Sequence, residues 1–225
     1  MDKYVIIVAG GSGSRMKADR PKQFLSLQGK PILMHTLEAF HHYDKHLHIL
    51  LVLPAAHLET WQRLVEEHDF PVSHRVTTGG DTRFDSVRNG LQLIDTDGLV
   101  AIHDGARPLV CSEVIHRTYT HAQLHQNAVA SVAIKDSLRE IKSDHNQAVD
   151  RSAYVAIQTP QTFQVQTIRH AFATANPQQS FTDDASVLES IGGQINLVQG
   201  SYENIKITTP EDIILAEALL THRKK

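Results

Sequence analysis

The chain has 225 residues, of which 41% are hydrophobic, and it carries a formal net charge of −3. This length suits one large domain with an adequate core, so we expect residues 1–225 to form a single domain. The weakly acidic balance argues against nucleic acid as a partner, and the single cysteine, Cys111, excludes an intrachain disulfide framework. We expect a cytoplasmic protein with no leader and no membrane association, because the longest apolar runs are only as long as strands.

The first informative stretch is an apolar run followed by a glycine-rich loop. The run over 4–8 predicts a strand buried on both faces, as in parallel α/β sheets. Glycines leave backbone N–H groups accessible to a di- or triphosphate, and cations on the same loop add attraction. The loop supplies three glycines and two such cations: Gly10, Gly11, Gly13, Arg15 and Lys22. We therefore predict a phosphate-binding loop, with Pro21 keeping its end out of a helix.

Three other interpretations of these glycines are possible. Two are nucleotide-binding motifs that fit less well, and the third is a turn that binds no ligand. A dinucleotide fingerprint requires a third glycine where Met16 stands and an acid near Pro31. A Walker A loop requires a final Gly-Lys-Ser/Thr, which this stretch lacks. The structural alternative is a tight turn between a strand and a helix.

Downstream, helical and strand patterns alternate. Apolar spacing predicts helices over 31–40, 56–68 and 84–91, and strands over 49–53 and 72–76. Strands joined by crossover helices form parallel sheets, in which ligands gather at the carboxyl ends of the strands. The glycine loop and a second glycine turn at 79–80 both follow such ends.

Two acids follow predicted strands at this edge. Asp81 either caps the next helix or contacts a ligand. Asp104 ends an apolar strand, where a carboxylate can bind Mg²⁺ and so bridge to substrate phosphates. We expect the nearby Arg107 to make a structural ion pair.

The second half of the chain departs from simple alternation. After a strand over 128–134, two short strands around a polar turn at 143–146 predict a hairpin that projects from the body and packs against a second copy. Asp183 and Asp184 fit the start of a helix better than acid/base chemistry or a second metal ligand, and a role in ordering the acceptor site stays open. A short strand over 203–208 is expected to lead into a helix capped by Thr209, with Pro210 first.

Five blocks of the sequence resemble the methylerythritol phosphate cytidylyltransferases, a family of sugar-nucleotide-type nucleotidyltransferases. They occur in the family's order between residues 4 and 220. The blocks are the loop Ala9–Met16 with Pro21–Leu25, the Gly-Gly-x-x-Arg-x-x-Ser-Val stretch at 79–87, His-Asp-x-Ala-Arg-Pro at 103–108, the arm around Arg151, and Asn-x-Lys at 204–206. Gly105 stands where relatives commonly have alanine, which we expect to leave ligation unaffected.

The resemblance implies a Rossmann-like three-layer α/β sandwich with a mostly parallel sheet and a β-arm at about 136–158 used in homodimerisation. It implies transfer from CTP to a polyol phosphate, with Mg²⁺ on Asp104. It implies catalytic roles for Arg15, Lys22 and Lys206. It implies acceptor binding by Arg151 and Thr159 from a neighbouring subunit. It implies nucleotide binding by Ala9, Gly10, Gly11, Gly13, Gly80, Asp81 and Ser86.

Three alternatives stay open at this point. A ribitol phosphate cytidylyltransferase shares nearly all the blocks, but the four residues between Met16 and Pro21 make a loop shorter than is usual there. A nucleotide-binding module without turnover would not need every charged group. A dinucleotide-dependent oxidoreductase is the third alternative.

Overall fold

The computed structural model of the protein describes residues 1–11 and 21–223, so Gly13 and Arg15 of the predicted loop lie outside the described residues. The strands in the described part are β1 (Asp2–Val8), β2 (Ser26–Leu27), β3 (Lys30–Pro31), β4 (His48–Leu53), β5 (Arg75–Thr78), β6 (Gly98–Asp104), β7 (Asn127–Ala133), β8 (Leu138–Ile141), β9 (Asn146–Val149), β10 (Val155–Gln164) and β11 (Leu197–Gln199). The α-helices are α1 (Ile32–Tyr43), α2 (Leu58–Glu67), α3 (Arg83–Gln92), α4 (Ser112–His125), α5 (Val165–Thr174), α6 (Asp184–Glu189) and α7 (Pro210–Arg223).

Seven strands form the central sheet, in the order β11-β7-β10-β6-β1-β4-β5. Strand β10 runs antiparallel to both of its neighbours, and every other pairing in this sheet is parallel. Helices cover both faces. The predicted three-layer α/β architecture with a mostly parallel sheet is therefore confirmed.

Successive side chains of β1 supply two separate hydrophobic cores, which explains why the whole strand is apolar. Val5 and Ile7 pack on one face with Trp61 of α2. Ile6 packs on the other face with α3 and α5. Helix α3 lies very close there, since a Cβ added at Gly90 would stand 2.8 Å from Ile6 Cγ2.

Two predicted strands differ from the structure. The strand expected over 72–76 begins only at Arg75, because the Val72 carbonyl accepts a hydrogen bond from the His74 ring instead of joining the sheet. The segment 203–208 is not a strand. Its backbone makes loop contacts instead: Ile207 N donates to Ala106 O at 2.8 Å, and the Asn204 carbonyl accepts from Arg107.

The predicted hairpin is present as β8 and β9, which form a two-stranded sheet of their own. It carries exposed apolar side chains, of which Ile141 is 76% exposed. Residues 155–158, which the sequence assigns to the arm, belong to β10, and this strand pairs with β7 from Val155 opposite Ala133 onward. The hairpin thus lies in the connection between β7 and β10, which are neighbours in the central sheet.

None of the helices in the described residues is long and apolar enough to span a membrane. Helix α7 begins at Pro210, as predicted, with Glu211 and Asp212 in its first turn. These acids suit the positive end of the helix dipole.

Acidification should change the fluorescence of Trp61, the only tryptophan in the chain. The Trp61 indole N–H donates to Nε2 of His74 at 3.0 Å, and Nδ1 of His74 bonds the Val72 carbonyl, so the ring is neutral with its proton on Nδ1. Burial lowers the pKa of His74 below 6.5 despite that carbonyl. The stability supplied by neutral His74 is complete above pH 6.5 and is lost as the pH falls through the lower folded pKa.

We expect a fluorescence transition with a midpoint below pH 6.5. The variant His74→Gln offers the indole an acceptor that does not titrate, so its emission should stay flat over the same range. A transition of equal size in that variant would show that another group is responsible.

Candidate active site

A cleft of about 280 Å³ opens at the carboxyl ends of the parallel strands, where the topology predicts ligands. It gathers three of the predicted stretches, which are far apart in the chain, together with Lys206. Its lining residues are Val8, Ala9, Gly10, Gly11, Lys22, Gln23, Pro54, Gly79, Gly80, Asp81, Thr82, Arg83, Ser86, Asp104, Ala106 and Lys206.

The two ends of the glycine loop are fastened together at the floor of this cleft. Ala9 N donates to Val52 O at 3.0 Å, and the buried amide of Gln23 donates to Ala9 O at 2.9 Å. Lys22 Nζ reaches Ile207 O at 3.3 Å, and its Cε would lie 3.4 Å from a Cβ at Gly11. The lysine therefore lies directly over a glycine, so the backbone and the cation face the same space.

The second glycine turn is held by hydroxyl groups at the start of α3. Gly80 N donates to Ser86 Oγ at 3.2 Å, and Ser86 Oγ donates to Thr82 O at 3.0 Å. The helix cap is Thr82, which accepts from Asp85 N, so capping by Asp81 was a wrong alternative. The Asp81 side chain is exposed at the cleft and takes no part in that cap.

Asp104 is surrounded by three cations at the edge of the cleft. Its Oδ2 lies 2.9 Å from Lys206 Nζ and 3.3 Å from Arg107 Nε, and its Oδ1 lies 3.9 Å from Arg83 Nε. Burial alone would raise the pKa of Asp104, but the three cations outweigh burial and hold that pKa below its usual value. The carboxylate is therefore ionised at neutral pH. The predicted ion pair of Arg107 is present.

A second cleft, also of about 280 Å³, adjoins the first at this carboxylate. The two clefts share Arg83, Asp104 and Lys206. The other lining residues of the second cleft are Arg107, Ile157, Gln158, Thr159, Gln161, Thr182 and Asp183. Two substrates could thus meet at the shared residues.

Behind Asp104, a buried histidine fixes the wall of the second cleft. His103 Nε2 lies 3.1 Å from the Arg107 carbonyl, which can only accept, so that nitrogen carries the proton. Nδ1 then accepts from the Thr159 hydroxyl at 3.0 Å, and that hydroxyl accepts from Asp104 N at 3.1 Å. Burial lowers the pKa of His103 to about 4, so the ring is neutral. A bond from this hydroxyl to an anionic phosphate would require it to rotate away from His103.

A sequence model of the family described as IspD, 2-C-methyl-D-erythritol 4-phosphate cytidylyltransferase, matches residues 3–222. The chain belongs to this family. The cytidylyltransferase of that name from Porphyromonas gingivalis ATCC 33277 is 51% identical over 97% of this chain and 98% of its own length. Its namesake from Bacteroides thetaiotaomicron is 49% identical over 98% of this chain and all of its own.

Solved structures with the family name have the same fold. The 4-diphosphocytidyl-2C-methyl-D-erythritol synthase of Anaerococcus prevotii superposes with a TM-score of 0.82 at 29% identity, over 98% of this chain and 96% of its own. The 2-C-methyl-D-erythritol 4-phosphate cytidylyltransferase of Thermus thermophilus superposes with a TM-score of 0.80 at 31% identity. This match covers 97% of this chain and 98% of that structure's chain. The match spans nearly the whole of each chain.

The methylerythritol phosphate cytidylyltransferase blocks are brought together with one exception. Arg151 is exposed in a turn at the base of the arm, where it donates to the Lys135 carbonyl, and it lines neither cleft of its own subunit. The other described residues with predicted roles line one or both clefts: Ala9, Gly10, Gly11, Lys22, Gly80, Asp81, Ser86, Asp104, Thr159 and Lys206.

Sequence reasoning missed one contact at the site. Asp183 caps α6 with Ser186, as the helix-start interpretation predicts. Asp184 does more, since its carboxylate makes two hydrogen bonds to Arg83, of 2.8 and 2.6 Å. The Arg lies in a recognised family block, but no periodicity in the sequence relates two residues that are so far apart.

A methyl group at Gly105 should destabilise this family member. An added Cβ would stand 2.9 Å from Ala9 Cβ and 3.1 Å from Leu33 Cδ1, closer than packed atoms normally approach. We expect Gly105→Ala to lower the free energy of unfolding by ~1–3 kcal/mol in urea titrations, the usual cost of overpacking. This expected cost concerns packing and leaves the expectation about ligation by Asp104 untouched.

Gly10→Ala is the matched control, since its Cβ would meet nothing within 4 Å. Its unfolding free energy should be unchanged or slightly higher, because alanine restricts the unfolded chain. Equal stability of Gly105→Ala and the natural protein would mean that Ala9 and Leu33 move aside freely.

Proposed function

We propose that this chain transfers a cytidylyl group from CTP to 2-C-methyl-D-erythritol 4-phosphate and releases pyrophosphate. The observation that carries the proposal is the pair of clefts that meet at Asp104, with Lys206 and Arg83 common to both. The full-length identity to cytidylyltransferases named for this acceptor supports it over ribitol phosphate. One cleft suits the nucleotide, and the other suits the phosphorylated acceptor.

The reaction needs no protein nucleophile. An oxygen of the acceptor phosphate attacks the α-phosphorus of CTP, the bond from that phosphorus to the bridging oxygen breaks, and pyrophosphate leaves with the electron pair. Catalysis of such transfers consists of positioning and charge stabilisation. We assign the stabilisation of the negative charge that develops on the phosphates to Lys22 and Lys206. Arg15, from the loop outside the described residues, is assigned the same role.

We assign the nucleotide to the first cleft. The backbone of Gly10 and Gly11 would follow the phosphates, with Ala9 at the floor beneath them. The base would lie against Gly80, Asp81 and Ser86. These assignments are supported by the cleft that all of these residues line, in which Gly10, Gly11 and Gly80 offer backbone without a side chain.

A divalent metal, Mg²⁺, fits Asp104 as a single protein ligand. No group of three or more His, Cys, Asp or Glu residues within 1–11 and 21–223 could hold a metal alone. Mg²⁺ is usually bound through one or two carboxylates together with substrate phosphates. Asp104 is ionised, and its Oδ1 makes no contact shorter than 3.9 Å to a described cation. When bound, the metal would neutralise charge on the phosphates of CTP.

The acceptor site is proposed to be shared between two subunits. The exposed side chains of Ile141, Tyr154 and Ile157 line the arm and its base, and a second copy of the arm would cover them. In such a homodimer, Arg151 would enter the partner's second cleft and hold the acceptor phosphate beside Thr159. This accounts for the absence of Arg151 from both clefts of its own subunit.

Mixing two inactive variants should restore activity if the site is shared. Random exchange of Arg151→Ala and Lys22→Ala subunits makes half of the dimers hybrid, each with one intact site, so about one quarter of natural activity should return. Mixing Lys22→Ala with Lys206→Ala is the control, because both groups belong to one subunit and no hybrid site is intact. Absence of rescue in the first mixture, with exchange shown by mass spectrometry, would contradict the shared site.

The direct test of function is pyrophosphate release by the purified protein with Mg²⁺ and CTP. Rapid release with methylerythritol phosphate, and none with the acceptor omitted, is the expected result. Preference for ribitol phosphate would keep the mechanism and change the acceptor. If neither acceptor leads to pyrophosphate release although CTP binds measurably, a nucleotide-binding module without turnover would be favoured. Tight binding of NAD(P) would favour an oxidoreductase.

A further inference from the structure

The carboxylate of Asp184 is fully buried and faces a guanidinium. Its two oxygens receive hydrogen bonds from Nη1 and Nη2 of Arg83, at 2.8 and 2.6 Å, in the bidentate geometry that orients both groups. Burial raises the pKa of Asp184, and the guanidinium of Arg83 opposes that effect. Burial also disfavours the charge on Arg83, but Asp184 outweighs it and the pKa of Arg83 lies above its usual value.

This pair joins the beginnings of two helices that serve different clefts. Arg83 is the first residue of α3 and follows the glycine turn that lines the first cleft. Asp184 is the first residue of α6 and follows Thr182 and Asp183, which line the second. The side chain of Arg83 remains 30% exposed and reaches both clefts. The pair therefore spans the junction at which the two substrates would meet.

The bond to Asp184 also sets where the remaining nitrogen of Arg83 points. With Nη1 and Nη2 committed, Nε lies 3.9 Å from Oδ1 of Asp104. Lys206 and Arg107 contact the other oxygen of Asp104. Without Asp184, the guanidinium would be free to move onto Asp104 or onto an incoming phosphate, and the α6 end would lose its tie to α3.

We propose that Arg83 and Asp184 are positioning residues for the transfer, acting as a strut that fixes the acceptor cleft relative to the nucleotide cleft. The inference rests on the proposed function for the identity of the two substrates. Asp184 holds Arg83 in one orientation, and Arg83 holds the start of α6 and faces the carboxylate that both clefts share. Because Thr182 and Asp183, which precede Asp184, line only the second cleft, acceptor binding depends on this arrangement more than CTP binding does.

Simple stabilisation is the alternative role, and it makes a different prediction. A buried ion pair contributes little stability compared with well-packed apolar residues, whereas breaking it on one side is strongly destabilising. If the pair only stabilises the fold, an apolar replacement of both partners would restore stability and function together. If it positions the clefts, stability would return and acceptor binding would not.

The experiment compares Arg83→Met, Asp184→Leu and the double variant with the natural protein. Urea unfolding gives stability, and calorimetry with a non-hydrolysable CTP analogue, followed by methylerythritol phosphate, gives the two affinities without turnover. We expect both single variants to be destabilised and the double variant to recover most of that loss. In the double variant, acceptor affinity and kcat/KM for the acceptor should fall about 100-fold, as a displaced reacting group costs, with CTP affinity changed less than about threefold.

Two further variants complete the design. Arg83→Lys keeps the charge without the bidentate contact and should bind the acceptor better than Arg83→Met, though less well than the natural protein. Arg88→Met, on the exposed side of the same helix, removes an ion pair with Asp85 and should change neither affinity. Recovery of both stability and acceptor affinity in the double variant would overturn the proposal. A natural protein that binds both ligands without releasing pyrophosphate would contradict the proposed function alone, because the binding comparison still tests the strut.

Discussion

Replacing Lys22 with alanine should lower kcat by about 10²–10³, in line with the removal of one group that stabilises charge in the transition state. Lys22 Nζ lies beside the Ile207 carbonyl and over Gly11, on the wall of the nucleotide cleft. Charge on the phosphates grows as the bond to pyrophosphate breaks, so the cation acts more strongly on the transition state than on bound CTP. Steady-state kinetics and CTP titration should therefore show a large fall in kcat and a small change in Kd.

Lys30→Ala is the control for Lys22. Lys30 belongs to β3, pairs with Glu38 at 2.6 Å, and lines neither cleft. Its loss should leave kcat within about twofold, as for a surface substitution. A near-normal kcat in Lys22→Ala would remove this residue from the mechanism.

The variant Asp104→Asn should lose activity by about 10³-fold or more and should also lose stability. Its carboxylate is the proposed metal ligand and pairs with Lys206 and Arg107, so an amide would remove the counter-charge that these two cations share. Breaking a buried ion pair on one side costs about 3 kcal/mol. The folded pKa of Asp104 is depressed, so its contribution is present above the unfolded pKa and is lost as the pH falls through the folded value. The variant's free energy of unfolding should therefore lie furthest below that of the natural protein at pH 7, and the two values should converge in strong acid.

Asp95→Asn is the matched comparison. Asp95 is 79% exposed and lies 3.7 Å from Arg75, and a pair of this kind contributes little. Urea unfolding at pH 7 and pyrophosphate release should both be close to natural values in this variant. An Asp104→Asn protein as active as Asp95→Asn would exclude the carboxylate from the reaction.

The parts of the fold that the sequence predicts are those determined by local patterns. The apolar run of β1, the two glycine turns, the strand that ends at Asp104 and the hairpin all have a signal within a few residues. The reversed direction of β10 has no such signal, because its pairing with β6 and β7 depends on partners distant in the chain. The segment 203–208 alternates like a strand, but its backbone groups are used by loop contacts.

The site shows the same division. Three of the recognised blocks are brought to the clefts because they follow or end strands β1, β5 and β6 at one edge of the sheet. Lys206 reaches the clefts from a loop, and Arg151 lines neither of them. The contact between Arg83 and Asp184 joins residues 101 positions apart. Neither spacing nor composition relates them, so the sequence leaves the role of Asp184 open and only the three-dimensional structure pairs it with Arg83.

The antiparallel direction of β10 also determines how freely the arm can vary. Strand β7 ends at the edge that carries the clefts, and β10 starts back from that edge with Val155 opposite Ala133. The hairpin between them is therefore an insertion whose length does not alter the register on either side. Doubling the length of a flexible loop adds only about 0.6 kcal/mol to the free energy needed to close it. The arm can thus change in length while Lys22, Asp104 and Lys206 keep their places at the clefts.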